Sequence, residues 1–253
     1  SLLSLKVVYS TRTNPYRVAI SGLDGDGKPD LAVANSATGN TVSVLKNTSM
    51  PGTISFATSI DYAIGYASYS TDIEDLDGDG KPDIIVANSG SNSISVLKNT
   101  GSNGIISFAQ KVDYLTGNNP YGFSIADLDG DGKPDIAVAN NDDKTISVFK
   151  NISNGGTISF APKVDYTAGD QPRTVSIGDL NGDGRPDLVT PNWVSYNASV
   201  LINQVGKPIA IPLCPPLDNS LLMCNLTGTN YQWQVNAGNG FTQISETGRG
   251  AWW

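Results

Sequence analysis

Apolar and polar positions along this chain alternate in short runs of four to ten residues, and no segment holds a helical period. One stretch of about fifty residues shows the pattern plainly. β-branched and aromatic residues enrich residues 121–128, 136–139, 145–150 and 157–166, which predicts four short strands. Between them lie turn formers: an acidic glycine loop, then residues 140–144, then residues 153–156.

The same unit recurs along the chain. GLDGDGKPDLAVAN, at residues 22–35, returns as DLDGDGKPDIIVAN, DLDGDGKPDIAVAN and DLNGDGRPDLVTPN. Its second acidic position falls at Asp24, Asp77, Asp129 and Asn181, spaced by 53, 52 and 52 residues. SVLKN, SVLKN, SVFKN and SVLIN keep the same interval, and ISFA follows the first three of them. Four antiparallel strands per unit predict an all-β fold, a β-propeller of four-stranded blades in which each blade buries its faces on its neighbours. Residues 6–15 align with residues 111–120, so the chain opens on what reads as the outer strand of a blade. After Asn203 no ISFA strand follows. An N-terminal strand that completes the last blade would close a four-bladed ring; a piece of a longer array would show the same ends.

The repeats occupy residues 1–205, and the pattern changes over residues 206–253. KPIAIPLCPPL reads as a linker or edge strand, and Tyr231, Trp233 and Val235 alternate in a strand before a glycine turn. This short β-rich segment is too small for a sandwich of about 100 residues. It predicts a partial or capping element.

Composition narrows the chemistry. Acidic residues outnumber basic ones 24 to 16, a formal charge of -8, with no basic cluster to follow a phosphate backbone, so nucleic acid is not an expected partner. Histidine is absent, which removes the commonest general base near neutral pH and the usual ligand of zinc and copper. The only thiols, Cys214 and Cys224, fall near the C-terminal end, which fits an exported protein. No apolar run reaches the roughly 20 residues of a membrane helix, so no membrane insertion is expected. Ser1 in place of a methionine is consistent with removal of a leader or of an upstream part.

The recurring loop carries the candidate chemistry. In the second copy Asp75, Asp77, Asp79 and Asp83 occupy positions 1, 3, 5 and 9, with the carbonyl of Lys81 at position 7. Alternating oxygen donors in a tight loop converge on one cation, and calcium accepts 6 to 8 oxygens in tolerant geometry, where magnesium demands an octahedron. This is not an EF-hand, since position 12 is Val86 rather than a glutamate. The third copy has Asp127, Asp129, Asp131, the carbonyl of Lys133 and Asp135. The fourth has Asp179, Asn181, Asp183, the carbonyl of Arg185 and Asp187. The first has Gly22 at position 1, leaving Asp24, Asp26, the carbonyl of Lys28 and Asp30, and is expected to be the weakest site. Without metal, these carboxylates repel one another.

These residues resemble the FG-GAP repeats, also called VCBS-type, of integrin α-subunit propellers and many secreted bacterial proteins. The resemblance covers about residues 1–205. It implies a loop between the first two strands of each blade that binds calcium, in rings of usually more blades than the four acidic loops visible here. YQWQVNAGNGF, at residues 231–241, is similar to immunoglobulin-like modules. The resemblance further implies a secreted or cell-surface protein, a non-catalytic adhesion module for a glycan or an extracellular protein, with calcium structural in the loops. Two other classes stay open: an accessory or catalytic domain of a secreted polysaccharide-active enzyme, and a structural spacer. For the enzyme, Glu74 is the one acid near a loop without counterparts in the sister copies. For a glycan, Tyr66, Tyr69, Tyr121, Trp193 and Tyr196 lie near strand ends and could stack on sugars, though ordinary blade packing is the favoured explanation of them. Asn35, Asn88, Asn140 and Asn192 end the second strands and are expected to close turns.

Overall fold

The computed structural model describes residues 6–36 and 40–206, together with the backbone of strands 222–227, 230–236 and 241–244. The chain divides into two units, Ser1–Asn203 and Gln204–Trp253. The first sheet contains β1 (Pro15–Ser21), β2 (Asp30–Asn35), β3 (Thr41–Leu45) and β4 (Ile60–Ala63). β5 (Ser68–Glu74), β6 (Asp83–Asn88), β7 (Ser93–Leu97) and β8 (Val112–Leu115) form the second. The third contains β9 (Pro120–Ala126), β10 (Asp135–Asn140), β11 (Thr145–Phe149) and β12 (Val164–Thr167). The fourth has only β13 (Ser176–Gly178), β14 (Asp187–Asn192) and β15 (Asn197–Leu201). Every sheet runs antiparallel in chain order, as propeller blades do.

Each blade buries both faces where it has two neighbours. That is why β6 and β10 read as continuous apolar runs and are buried at every position. Three core clusters result, each shared by consecutive repeats. Ala32, Ala34, Val42 and Val44 of the first repeat meet Ile73, Ile84, Val86 and Leu97 of the second. Ile85, Ala87, Ile94 and Val96 then meet Phe123, Ile136, Val138 and Phe149. Ala137, Ala139 and Ile146 meet Val175 and Leu188. On the faces without a neighbouring sheet among the described residues, the same kinds of side chain are exposed: Val18 and Ile20 on the first sheet, Leu180 and Val200 on the fourth.

Two strand expectations change. Residues 157–166 are not one strand, because the pairing register moves by one residue between Asn151↔Phe160 and Val148↔Val164. The same step occurs between Asn99↔Phe108 and Val96↔Val112, and between Asn47↔Phe56 and Val44↔Ile60. An extra residue inserted at a β-bulge interrupts each outer strand. The second change concerns residues 6–14, which contain no strand; among the described residues β15 has no outer partner, and the fourth sheet is three-stranded. The N-terminal segment nevertheless packs as an outer strand does. Tyr9 meets Phe56 edge-on at 5.1 Å, as Tyr62 meets Phe108 and Tyr114 meets Phe160, each at 5.0 Å. It therefore stands on the side of the first blade where a preceding blade would lie.

In the second unit, β16 (Leu222–Thr227), β17 (Asn230–Asn236) and β18 (Phe241–Ile244) form one antiparallel sheet. Strand β17 spans the alternating Tyr231, Trp233 and Val235. Cys214, the proline-rich stretch and the glycine turn lie outside the described residues, as does any statement about the side chain of Cys224. Among the described residues no helix is long and apolar enough to cross a membrane.

Candidate metal centre

The acidic loops join the first two strands of each blade: β1 to β2, β5 to β6, β9 to β10 and β13 to β14. In the second loop Gly78 and Gly80 turn the chain at φ 72° and 80°, a region where only glycine is unstrained. The turn folds three amides onto one carboxylate. Asp75 accepts from Gly78 at 2.9 Å, Asp79 at 3.2 Å and Gly80 at 2.8 Å. Asp77 accepts from the Asp79 amide, and Asp79 from the Lys81 amide. Asp83 is buried at the start of β6, bonded to the amides of Leu76 at 3.0 Å and Asn99 at 2.8 Å.

Carboxylate oxygens of Asp75, Asp77 and Asp83 lie within 4.8 Å of one another, and so do those of Asp127, Asp129 and Asp135. The third loop repeats the amide pattern: Asp127 accepts from Gly130, Asp131 and Gly132, Asp131 from Lys133, and Asp135 from Leu128 and Asn151. In the fourth, Asp179 accepts from Gly182, Asp183 and Gly184, Asn181 from Asp183, and Asp183 from Arg185. Asp187 there accepts from Leu180 and Asn203. The first loop lacks the position-1 carboxylate and keeps the rest: Asp24 accepts from Asp26, Asp26 from Lys28, and Asp30 from Leu23 and Asn47. A Cβ at Gly22 would stand 3.5 Å from the Lys28 carbonyl, so the position-7 carbonyl faces the side chain of position 1.

This set of carboxylates and carbonyls suits a hard cation. Its electrostatics also ask for one. Burial pushes Asp83 up to about 6 despite its two amide bonds, and the same cause raises Asp30 and Asp135. Glu74 closes β5 as an exposed residue, yet partial burial of its carboxyl, with Asp72 and Asp75 beside it, raises it as well.

Two recurring residues complete the site, and neither stands out from the composition. The lysine of each LKN or FKN reaches the loop of its own blade: Lys46 pairs with Asp24 at 2.5 Å, Lys98 with Asp77 and Asp79, and Lys150 with Asp129 and Asp131. Burial would raise Asp79, but Lys98 holds it below the usual carboxylate range, and Lys46 does the same for Asp24. The fourth repeat has Ile202 at this position, and Arg185 meets Asp183 instead. The asparagine that follows the lysine fastens two blades. Asn99 donates to Pro82 of its own loop at 2.9 Å and to Leu23 of the preceding loop at 2.8 Å. Asn151 repeats this with Pro134 and Leu76, and Asn203 with Pro186 and Leu128. The signal was the KN pair that follows SVL or SVF in the first three repeats, visible as a repeat but silent about its targets.

Asn35, Asn88, Asn140 and Asn192 reach further than their turns. Asn88 accepts from the Gly65 amide and donates to Ser95, which donates to Asp113, so a polar relay crosses the buried width of the blade. Asn140 does the same through Gly117, Ser147 and Asp165. Gly117 leaves no room for a side chain there, since a Cβ would meet Asn140 at 2.7 Å. The aromatics gather at the other end of the inner strands. Tyr69 stacks on Tyr121 at 4.9 Å, while Tyr66 lies against Gly90 and Tyr196 stands exposed.

No curated protein sequence gives a significant match to the chain. Among solved structures, a rhamnogalacturonan lyase of Bacillus licheniformis is 18% identical with a TM-score of 0.48, over 76% of this chain and 41% of that one. A virginiamycin B lyase of Staphylococcus aureus is 14% identical with a TM-score of 0.41, over 96% and 74%. The V. cholerae biofilm matrix protein Bap1 is 14% identical with a TM-score of 0.41, over 88% and 37%. The chain thus spans less than half the length of the first of these. FG-GAP-like repeats match residues 22–86, 75–138 and 127–190, well over half of the sequence and centred on the loops just described, and the chain belongs to the FG-GAP-like repeat family.

Proposed function

We propose that this chain is a calcium-binding β-propeller module of an extracellular protein, non-catalytic itself, that holds a glycan or protein partner. The observation that carries the calcium reading is the convergence of three carboxylates within 4.8 Å in two loops of identical design. Calcium there would be held by Asp75, Asp77 and Asp83, by Asp127, Asp129 and Asp135, and by the matching residues of the other loops. Its charge would offset carboxylates that burial otherwise pushes toward protonation. The metal's role in this reading is structural. Each loop joins two strands of a blade, and through Asn99, Asn151 and Asn203 it also touches the next blade.

Differential scanning calorimetry of the chelated protein, with calcium then restored, tests this. A ligand that binds only the folded state adds about 2.7 kcal/mol per site at one hundred times its dissociation constant. The melting temperature should therefore climb by many degrees on adding calcium, and less on adding magnesium. Identical melting curves with chelator and with calcium would end the proposal.

A further inference from the structure

Tyr16, Tyr69, Tyr121 and Arg173 occupy one position in the four repeats, at the start of, or just before, the innermost strand. The inner strands converge there, and the four side chains meet. Tyr16 lies edge-on to Tyr69 at 4.9 Å and bonds through its hydroxyl to that of Tyr121. Arg173 sits 4.7 Å from the ring centre of Tyr121 and 5.1 Å from that of Trp193, which comes from the turn between β14 and β15. Tyr16 is 53% exposed and Trp193 66%.

Lys46, Lys98, Lys144 and Lys150 each answer an aspartate, whereas Arg173, like Arg17 and the loop lysines Lys28, Lys81 and Lys133, enters no ion pair among the described residues; what sets Arg173 apart is its place over two aromatic rings. Its Nε is buried without a hydrogen-bond partner. A guanidinium within about 5 Å of two aromatic rings keeps its charge and its donors, and such a fork of donors fits a carboxylate. The aspartates nearby are already engaged: Asp170 with Lys144, Asp142 with Asn119 and Asp143 with Asn118. The acidic loops lie a full strand away, about 20 Å for seven residues. That is beyond the screening length of about 8 Å at physiological salt.

We infer that this cluster is a binding site for an acidic saccharide, with the ring faces of Tyr16 and Trp193 taking sugar planes and Arg173 taking a uronate carboxylate. Exposed ring faces beside a cation without an ion pair favour a sugar, whose planes can lie on the rings while its acid group meets the guanidinium. The inference rests on reading the domain as a binding module and does not depend on the metal.

Isothermal titration calorimetry on the full chain in calcium tests it, with oligosaccharides of galacturonate and of glucuronate, each beside its neutral methyl ester, and with a tetraglutamate peptide. At least one acid should bind tenfold or more tightly than its ester. Arg173→Gln should abolish that preference, and Trp193→Ala should weaken acid and ester together. Equal binding of acid and ester, a preference that survives Arg173→Gln, binding of tetraglutamate as tight as the sugar, or no binding by either acid at millimolar concentration would each overturn it. If Arg173→Gln does not fold, the exposed Trp193 decides, and unchanged affinity in Trp193→Ala overturns the site. Calcium-dependent melting that persists through any of these failures leaves the metal reading standing.

Discussion

The asparagine that joins successive blades offers a measurement with its control built into the repeat. Asn99 is buried and makes three side-chain hydrogen bonds: to Leu23 of the preceding repeat at 2.8 Å, to Pro82 at 2.9 Å and from the Gly101 amide at 2.7 Å. Asn47 makes only the two local ones, to Pro29 at 2.7 Å and from Ser49 at 2.8 Å. A buried hydrogen bond contributes about 1 kcal/mol net, and a group left unpaired in the interior costs about 1 to 3. Asn99→Ala should therefore cost about 3 kcal/mol and Asn47→Ala about 2. The difference, about 1 kcal/mol, isolates the bond between blades. Urea unfolding at fixed calcium, followed by far-ultraviolet circular dichroism and by tryptophan fluorescence, would measure both, and agreement of the two probes would license the comparison. Asn203→Ala removes the corresponding bond to Leu128 and is a second reading of the same quantity. If Asn47→Ala and Asn99→Ala cost the same, the bond to Leu23 holds nothing, and the blades rest on apolar packing alone.

Two further outcomes are expected. Lys98 supplies a positive charge at the second loop, so Lys98→Met should lower the melting temperature in chelator while raising calcium affinity there by about threefold, the scale of a partly exposed ion pair; unchanged affinity by calorimetric titration would show that the ammonium does not compete with the ion. The second outcome concerns pH. A carboxylate raised by folding binds its proton more tightly in the folded state, so its contribution is complete below the ordinary value of about 3.9 and is lost as pH rises through the folded value. For Asp83 that value is about 6, and Asp30 and Asp135 move the same way. Metal-free protein should accordingly be more stable at pH 5 than at pH 7.5, with Asp83 alone contributing about 1.4 kcal/mol, because about one pH unit of its raised range lies above pH 5. Below about pH 4 the trend should reverse, as Asp24, Asp79 and Asp127, all lowered by folding, lose their contributions. With saturating calcium, acidification from pH 7.5 to 5 should instead lower the melting temperature, because protons displace the ion. A metal-free melting temperature that falls steadily from pH 7.5 to 5 would contradict the raised values.

Much of the blade is legible from period and spacing. Alternation finds strands because side-chain direction has a period of two, and the recurrence of Asp75, Asp127 and Asp179 at fixed intervals places each loop between the same two strands. What alternation does not see is pairing. The bulge that divides residues 157–166 leaves Ile158, Phe160, Val164 and Tyr166 in phase, so the break has no signature in the order of residues. Burial is equally a property of neighbours: Leu128 and Leu180 stand at one repeat position, and only the first has a following sheet to cover it. The lysine and asparagine of the KN pair read as ordinary strand-end polar residues. Their targets are distant carboxylates in one case and main-chain carbonyls in the other, and a carbonyl carries no side-chain letter to match. Arg173 escaped notice for a related reason. It replaces a tyrosine of the sister copies, and its meaning lies in Trp193, which has no counterpart in them.

The bond from each asparagine to the preceding loop gives the array a direction. Each of the second, third and fourth blades recognises its predecessor through a main-chain oxygen, which any amino acid supplies, and the first three offer their successors that atom. Duplication of a whole unit would bring its own fastener with it and find the receiving atom already in place. The loops, the rims and the ligand-facing turns are then free to diverge from copy to copy, provided one asparagine travels with each.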